Sequence, residues 1–184
     1  MLRVSKKTRI AIFFLIMVTG LLMTYHMISN AISIFGIMKL LSAYIGASFA
    51  AIIDYKTMRI PNIIPVSLIT IRIFMFLPEF FFDHNILTYL RNSLIGMLIS
   101  LCFLLIVSKI SRDGIGGGDI KLISAIGFLC GATVAFSTIV LSLILCSLIG
   151  GFLILTKKKS PKDKIAFGPF IAAGYAASIF LSQY

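Results

Sequence analysis

Apolar residues fill this chain in long blocks, separated by short stretches that carry glycine, proline or charge. The blocks predict seven helices, at roughly Ile10–Ile28, Ile32–Ile53, Ile63–Phe82, Ile86–Ser108, Ile120–Cys130, Thr133–Leu155 and Ala166–Leu181. Most are long enough for a hydrocarbon core of about 30 Å. The fifth is too short to cross alone unless it starts in a recessed pocket or continues through Gly131. Breakers sit where turns are needed: Pro61 and Pro65 open the third helix, Gly131 parts the fifth from the sixth, and Pro169 stands near the start of the seventh. The pattern predicts an all-α polytopic membrane bundle of about six to seven transmembrane helices. Residues 1–184 read as a single embedded domain, with 1–30 an additional N-terminal transmembrane helix.

Composition excludes an ordinary soluble domain: 59% of residues are hydrophobic, 12% are charged, and the mean hydropathy is +1.07. The basic start, Met1 to Arg9, followed by an apolar run imitates a secretory signal. That run is longer than a usual signal core and lacks an Ala-x-Ala site, so a retained helix is expected. Cys102, Cys130 and Cys146 lie in apolar segments without CxxC pairing, which predicts small buried residues and no metal site.

The net charge of +11 would suit nucleic acid, but its distribution suits a membrane instead. Arg3, Lys6, Lys7 and Arg9 precede the first helix, and Lys56 and Arg59 follow the second. Lys109, Arg112 and Lys121 flank the glycine-rich loop, and Lys157, Lys158, Lys159, Lys162 and Lys164 follow the sixth helix. All fall on one side of the expected topology. The opposite side holds Glu79, Asp83 and His84, with no Lys or Arg between Glu79 and Asn85. The positive-inside rule then predicts a cytoplasmic N-terminus and an external Tyr184.

The most polar interruption is Gly114-Ile115-Gly116-Gly117-Gly118-Asp119-Ile120-Lys121. Asp119 could be a simple N-cap of the fifth helix. A second carboxylate, Asp54, stands beside another helix end at the same predicted cytoplasmic face, where its bland reading is a solvated loop charge. As a pair the two have acid–base potential. Neighbouring carboxylates do not both ionise easily, so one keeps a proton. The ionised partner can then activate water while the protonated one donates to a scissile carbonyl. Helix dipoles predict which does which: Asp54 follows a negative C-terminal end and is expected to hold the proton, while Asp119 opens a helix and is expected to be ionised.

Three blocks carry a family resemblance. Asp54 with Ile60-Pro61-Asn62, then Gly116-Gly117-Gly118-Asp119-Ile120-Lys121, then Ala166-Phe167-Gly168-Pro169-Phe170 resemble the type IV prepilin peptidase family of membrane aspartic proteases. The first is similar to its Asp-x5-Ile-Pro-Asn element, the second to its Gly-x-Gly-Asp-x-Lys element, and the third to its Pro-Phe-Gly-Pro stretch, with Ala166 in place of proline. The resemblance spans roughly Ala43 to Ala177. It implies catalytic roles for Asp54 and Asp119, with support from Gly116, Gly118, Lys121, Pro61, Asn62, Gly168 and Pro169. It also implies removal of a basic leader from a prepilin or pilin-like precursor whose apolar helix lies in the bilayer, at the cytoplasmic face of the cell membrane. No cofactor is expected. The paired CxxC zinc insertion of many members has no counterpart here, so N-methyltransferase activity is not expected. Membrane lipid is the other expected partner; the sequence sets no oligomeric state.

Two rivals remain. Presenilin and signal-peptide-peptidase proteins share Gly-x-Gly-Asp, but their other aspartate follows a tyrosine and their late motif is Pro-Ala-Leu. A small ion- or proton-coupled transporter would use Asp54, Asp119 and Arg72 along a path, with carboxylates deeper in the bilayer. Arg72, well inside the third helix, is expected to face the bundle, and Lys39 to snorkel outward. His26 and His84 are isolated and lack ligand spacing.

Overall fold

The computed structural model describes residues 6–82, 86–111, 114–157, 160, 163 and 165–181. Seven helices account for the regular structure among them: α1 Lys6–Ser29, α2 Ile34–Thr57, α3 Ile63–Phe82, α4 Ile86–Ile110, α5 Gly117–Cys130, α6 Ala132–Leu155 and α7 Gly168–Leu181. Within α1–α4 and α6 lie five spans long and apolar enough to cross a membrane, which makes this a multi-pass membrane protein. Asp83, His84, Arg112, Lys158, Lys159, Lys162, Lys164 and Tyr184, on which much of the charge argument rests, lie outside the described residues.

Local chemistry sets the helix limits. The Ser33 hydroxyl caps α2 by accepting from the Gly36 N–H at 3.2 Å. The same helix stops at Met58, which adopts φ 54° and donates its N–H to the Asp54 carbonyl at 2.8 Å. Gly131, at φ 92°, ends α5 and begins α6. Asn92 closes against this corner, with its Oδ1 accepting the Ala132 N–H at 3.4 Å.

Helix α5 is the core of the bundle: from Asp119 to Leu129 every residue except Lys121 is buried. At about 1.5 Å per residue its 14 residues reach roughly 21 Å, short of a bilayer crossing. Packing around it depends on small residues. Gly96 of α4 and Gly127 of α5 meet backbone to backbone, so that a Cβ on either would overlap the other's carbonyl. Gly174 of α7 lies equally close to Ser142 of α6. The Tyr175 hydroxyl ties α7 to α2 by donating to the Leu40 carbonyl at 2.8 Å. Cys102 departs from the expected burial and is exposed on α4, while Cys130 and Cys146 are partly buried.

Helix α1 is held mainly through its later half. Met23 and Met27 are fully buried, and Tyr44 of α2 hydrogen-bonds Thr19 and the Ile16 carbonyl.

Two charges differ from their expected settings. Lys39 does not snorkel away; its Nζ contacts Glu79 Oε1 at 2.8 Å. Glu79 is no external loop charge either, because it lies in the last turn of α3 with 3% exposure. Arg72, two turns earlier, donates to both Glu79 oxygens at 2.9 Å and to Ser93 Oγ at 2.9 Å, and stacks 4.0 Å from the Phe76 ring. The expectation that Arg72 faces the bundle holds. A carboxylate two turns along the same helix face neutralises it, so the cation is not left bare in an apolar setting.

Candidate active site

Asp54 occupies the last turn of α2, not the loop after it, and is 5% exposed. The helix runs four residues further than the apolar pattern predicts because Met58 can adopt the left-handed conformation that closes it. The solvated-charge reading is thereby excluded. Asp119 is 9% exposed in the first turn of α5, outside the five long spans. It is not the N-cap. That position is Gly116, without a side-chain cap, and Asp119 stands three residues inside. The helix can begin early because Gly118 permits the approach: a Cβ there would lie 3.1 Å from Ile60 Cβ and 3.2 Å from the Ile60 carbonyl.

Each block of the sequence contributes a wall. The Ile60-Pro61-Asn62 segment lies against Gly118, and Lys121 Nζ donates to Asn62 Oδ1 at 3.1 Å, tying the start of α5 to the loop before α3. Lys121 thus holds the site together from outside its apolar interior. The third block arrives from the far end of the chain. The Gly168 N–H, first in α7, donates to Asp54 Oδ2 at 2.8 Å. A Cβ at Gly168 would stand 2.8 Å from Asp54 Cβ, so only glycine lets this helix start close over the carboxylate. Pro169 follows at the next helical position, where a missing N–H leaves no intrahelical bond unmade.

The electrostatics of the two carboxylates differ. Burial, and secondarily the charge of nearby Asp54, push Asp119 up from 3.8 to about 7; a backbone hydrogen bond from Gly116 pulls weakly the other way. The Asp119 Oδ1 atom is buried without a hydrogen-bond partner, while Asp54 receives a backbone N–H at a helix N-terminus. Both features oppose the expected proton placement. The dipole argument weighed only the helix each aspartate belongs to. It missed the N-terminus of α7, which faces Asp54 from 114 residues away in sequence. The physical signal was present in Gly168-Pro169 opening an apolar run, but nothing in the pattern said which carboxylate it would face.

Residues 40–155 match the type IV leader peptidase family. The chain belongs to that family. It is 31% identical over 127 residues to the prepilin leader peptidase/N-methyltransferase of Bacillus subtilis (strain 168), a match covering 67% of this chain and 48% of that protein. The chain therefore spans about half the length of the curated relative it matches. No solved structure matches it. Both aspartates, Ile60-Pro61-Asn62 and the glycine-rich loop fall inside the residues that match the leader peptidase family, whereas Gly168 and α1 fall outside them. Membership in this family disfavours the presenilin-type and transporter readings.

Proposed function

We propose that this protein is an aspartic endopeptidase that removes the basic leader from a prepilin or pilin-like precursor. The observation that carries this reading is the meeting of two buried carboxylates, from α2 and α5, in a member of the leader peptidase family. Asp54, held by the Gly168 N–H, is the ionised member and takes a proton from water. The resulting hydroxide adds to the scissile carbonyl carbon while Asp119 gives its proton to the carbonyl oxygen. Asp54 then passes its proton to the leaving amine, the carbon–nitrogen bond breaks, and Asp119 recovers a proton from the diol. The balance consumes water alone. Gly116, Gly118, Pro61, Asn62 and Lys121 hold the Asp119 side of the site, and Gly168 and Pro169 the Asp54 side. Residues 1–184 act as one embedded domain, and lipid covers its exposed apolar faces.

The site opens at the cytoplasmic face, where the scissile bond of a leader-plus-helix precursor would lie. Lys56 and Arg59 beside Asp54, and Lys121 beside Asp119, support this orientation. A single cysteine at Ser160, in a chain with Cys102, Cys130 and Cys146 replaced by serine, is expected to resist an impermeant thiol reagent in intact cells and to react in inverted vesicles. Labelling from outside would invert the orientation and remove the site from the cytoplasm.

Co-expression with a precursor bearing a lysine-rich leader, a glycine and an apolar helix, followed by mass measurement of the product, tests the activity itself. An intact leader with wild-type enzyme and such precursors would sink the peptidase reading.

The proton placement has its own consequence. Asp119 lies above its ordinary value, so its neutral form contributes stability that is complete below about 3.8 and lost as pH rises through about 7. Leader removal is expected to decline over the same upper range as the pair loses its shared proton. Infrared difference spectra near pH 6 are expected to lose a protonated-carboxyl band in Asp119→Asn and retain it in Asp54→Asn. The opposite pattern would return the proton to Asp54.

A further inference from the structure

Two contacts fix how α6 and α7 lie against each other. Gly174 of α7 packs on Ser142 of α6 so closely that a Cβ there would overlap it. Gly150 of α6 lies against Ile165, just before α7, whose Cδ1 is 3.4 Å from where a Gly150 Cβ would stand. The pairs run in opposite order along the chain, so the helices are antiparallel. Cys146 is midway between Ser142 and Gly150, four residues from each and on the same face of α6. Gly168, whose N–H holds Asp54, falls between Ile165 and Gly174 on the opposing segment. Cys146 is therefore level with the carboxylates.

Its exposure departs from that of its neighbours. Ser142 and Gly150 are buried, yet Cys146 between them is only partly buried. A side chain centred on a buried face keeps exposure only where the bundle leaves space beside it. The thiol also stands near enough to Asp119 for that charge to act on it. Elsewhere the surroundings of the pair are filled. Gly168 covers Asp54 with no room for a Cβ, and Ile60 closes on Gly118.

Asp119 shows which substrate atom belongs in that space. Its Oδ2 lies against Gly116, where a Cβ would be 2.9 Å away. The other oxygen, Oδ1, is buried and has no hydrogen-bond partner, in a residue only 9% exposed. An unpaired buried polar atom is costly, so a substrate group that pairs with it is favoured. In the peptidase reading that group is the scissile carbonyl oxygen. The Cα of the same residue is two bonds from this oxygen, so its side chain projects towards whatever else borders Asp119.

We infer that the Cys146 side chain is the wall facing the residue before the scissile bond, and that its size sets how large a side chain the site accepts there. The identity of the partner rests on the peptidase reading. Cys146 has no share in the chemistry under this assignment; it selects by volume. Cys146→Ala opens the space beside Asp119, and Cys146→Leu fills it.

Two measurements test the wall, one of them without turnover. For the first, the full chain carries Cys102→Ser and Cys130→Ser, which leaves Cys146 as its one thiol, and Asp54→Asn, which keeps precursor uncut. Methyl methanethiosulfonate converts this thiol to a methyl disulfide with release of methanesulfinate, and intact mass follows the reaction in proteoliposomes. The precursor is cysteine-free: a lysine-rich leader, one glycine and about twenty leucine and alanine residues as its helix. At saturation it is expected to slow modification at least tenfold, whereas a version with phenylalanine in place of the glycine is expected to slow it less than twofold. No slowing, or equal slowing by both versions, would overturn the proposal. The second measurement compares cleavage of precursors with alanine or glycine at that position. The alanine-to-glycine ratio of rates is expected to rise about tenfold in Cys146→Ala and to fall about tenfold in Cys146→Leu. Taking the ratio within each variant cancels differences in folded enzyme, so a merely structural role leaves it unmoved. An unmoved ratio in both variants would overturn the proposal as well. The two readings fail separately. Protection of Cys146 without cleavage of any precursor would keep the wall and remove the peptidase; cleavage with an unmoved ratio and no protection would remove the wall alone.

Discussion

Asp54→Asn and Asp119→Asn are each expected to lower leader removal by about 10²–10⁴-fold while the chain still accumulates in the membrane. Asparagine keeps the size of the side chain and removes only its ability to ionise. At Asp54 the amide oxygen can still accept the Gly168 N–H, so the packing of α7 over α2 survives while the base is lost. At Asp119 the neutral side chain resembles the protonated carboxyl in charge, so the buried site should tolerate it well. It can donate a hydrogen bond to the scissile carbonyl but cannot transfer a proton, and the tetrahedral intermediate is left uncompensated. The double variant is expected to be little worse than either single one, because a pair sharing one proton acts as a unit. The comparison needs equal amounts of folded enzyme, measured by precursor conversion against membrane-extracted protein. Near-normal conversion by either single variant would return that aspartate to a structural role.

The fold was largely legible because an apolar block long enough to span a membrane carries one of the strongest signals a sequence has. The bounds of α3 agree with the apolar pattern at both ends, and those of α6 within one residue. Helix ends that depend on backbone conformation were less visible. The extension of α2 past Asp54 needs Met58 in a left-handed conformation, which no hydropathy pattern encodes. The early start of α5 needs Gly118 to pack on Ile60, a contact across 58 residues. Both displacements matter chemically, because they turn a loop charge and a cap into two buried carboxylates. The residues of the candidate site stood out in the sequence through their motifs. Their relation to α7 did not, since periodicity orients a helix towards a core without naming the neighbour at its end.

The charges at the other end of the bundle were legible singly and not as a set. Lys39 sits in the second apolar block and Arg72 and Glu79 both sit in the third, and each has a plausible separate fate at an interface. One clue was available. Arg72 and Glu79 are seven residues apart, which places them on one helix face two turns away. Counting Glu79 among the charges of the opposite side hid it, although the predicted third helix already ran past Pro78 to Phe82.

Removing the carboxylate from that set is expected to produce the largest loss of stability of any surface-remote substitution in this protein. Glu79→Ala leaves Arg72, only 1% exposed, without its anion in an apolar interior, and frees Lys39 of α2 as well. Breaking a buried pair from one side costs about 3–5 kcal/mol, because the remaining charge loses compensation and gains no solvent. Against a total of about 5–15 kcal/mol for a folded protein, that is enough to reduce accumulation sharply. Lys39 has an escape, since its side chain is 17% exposed and long enough to turn outward; Arg72 has none. The double variant Arg72→Met with Glu79→Leu is therefore expected to recover most of the loss, as apolar residues of similar volume replace the pair. Denaturation midpoints in detergent for the wild type, both single variants and the double variant would form the required cycle. Lys39 and Asp54 lie fifteen residues apart on α2, about 22 Å along the helix, so the folded fraction of the double variant should cleave precursor at close to the wild-type rate. A Glu79→Ala protein within about 1 kcal/mol of wild type would show that Arg72 finds another partner or water, and that the three charges do not fasten α2, α3 and α4 together.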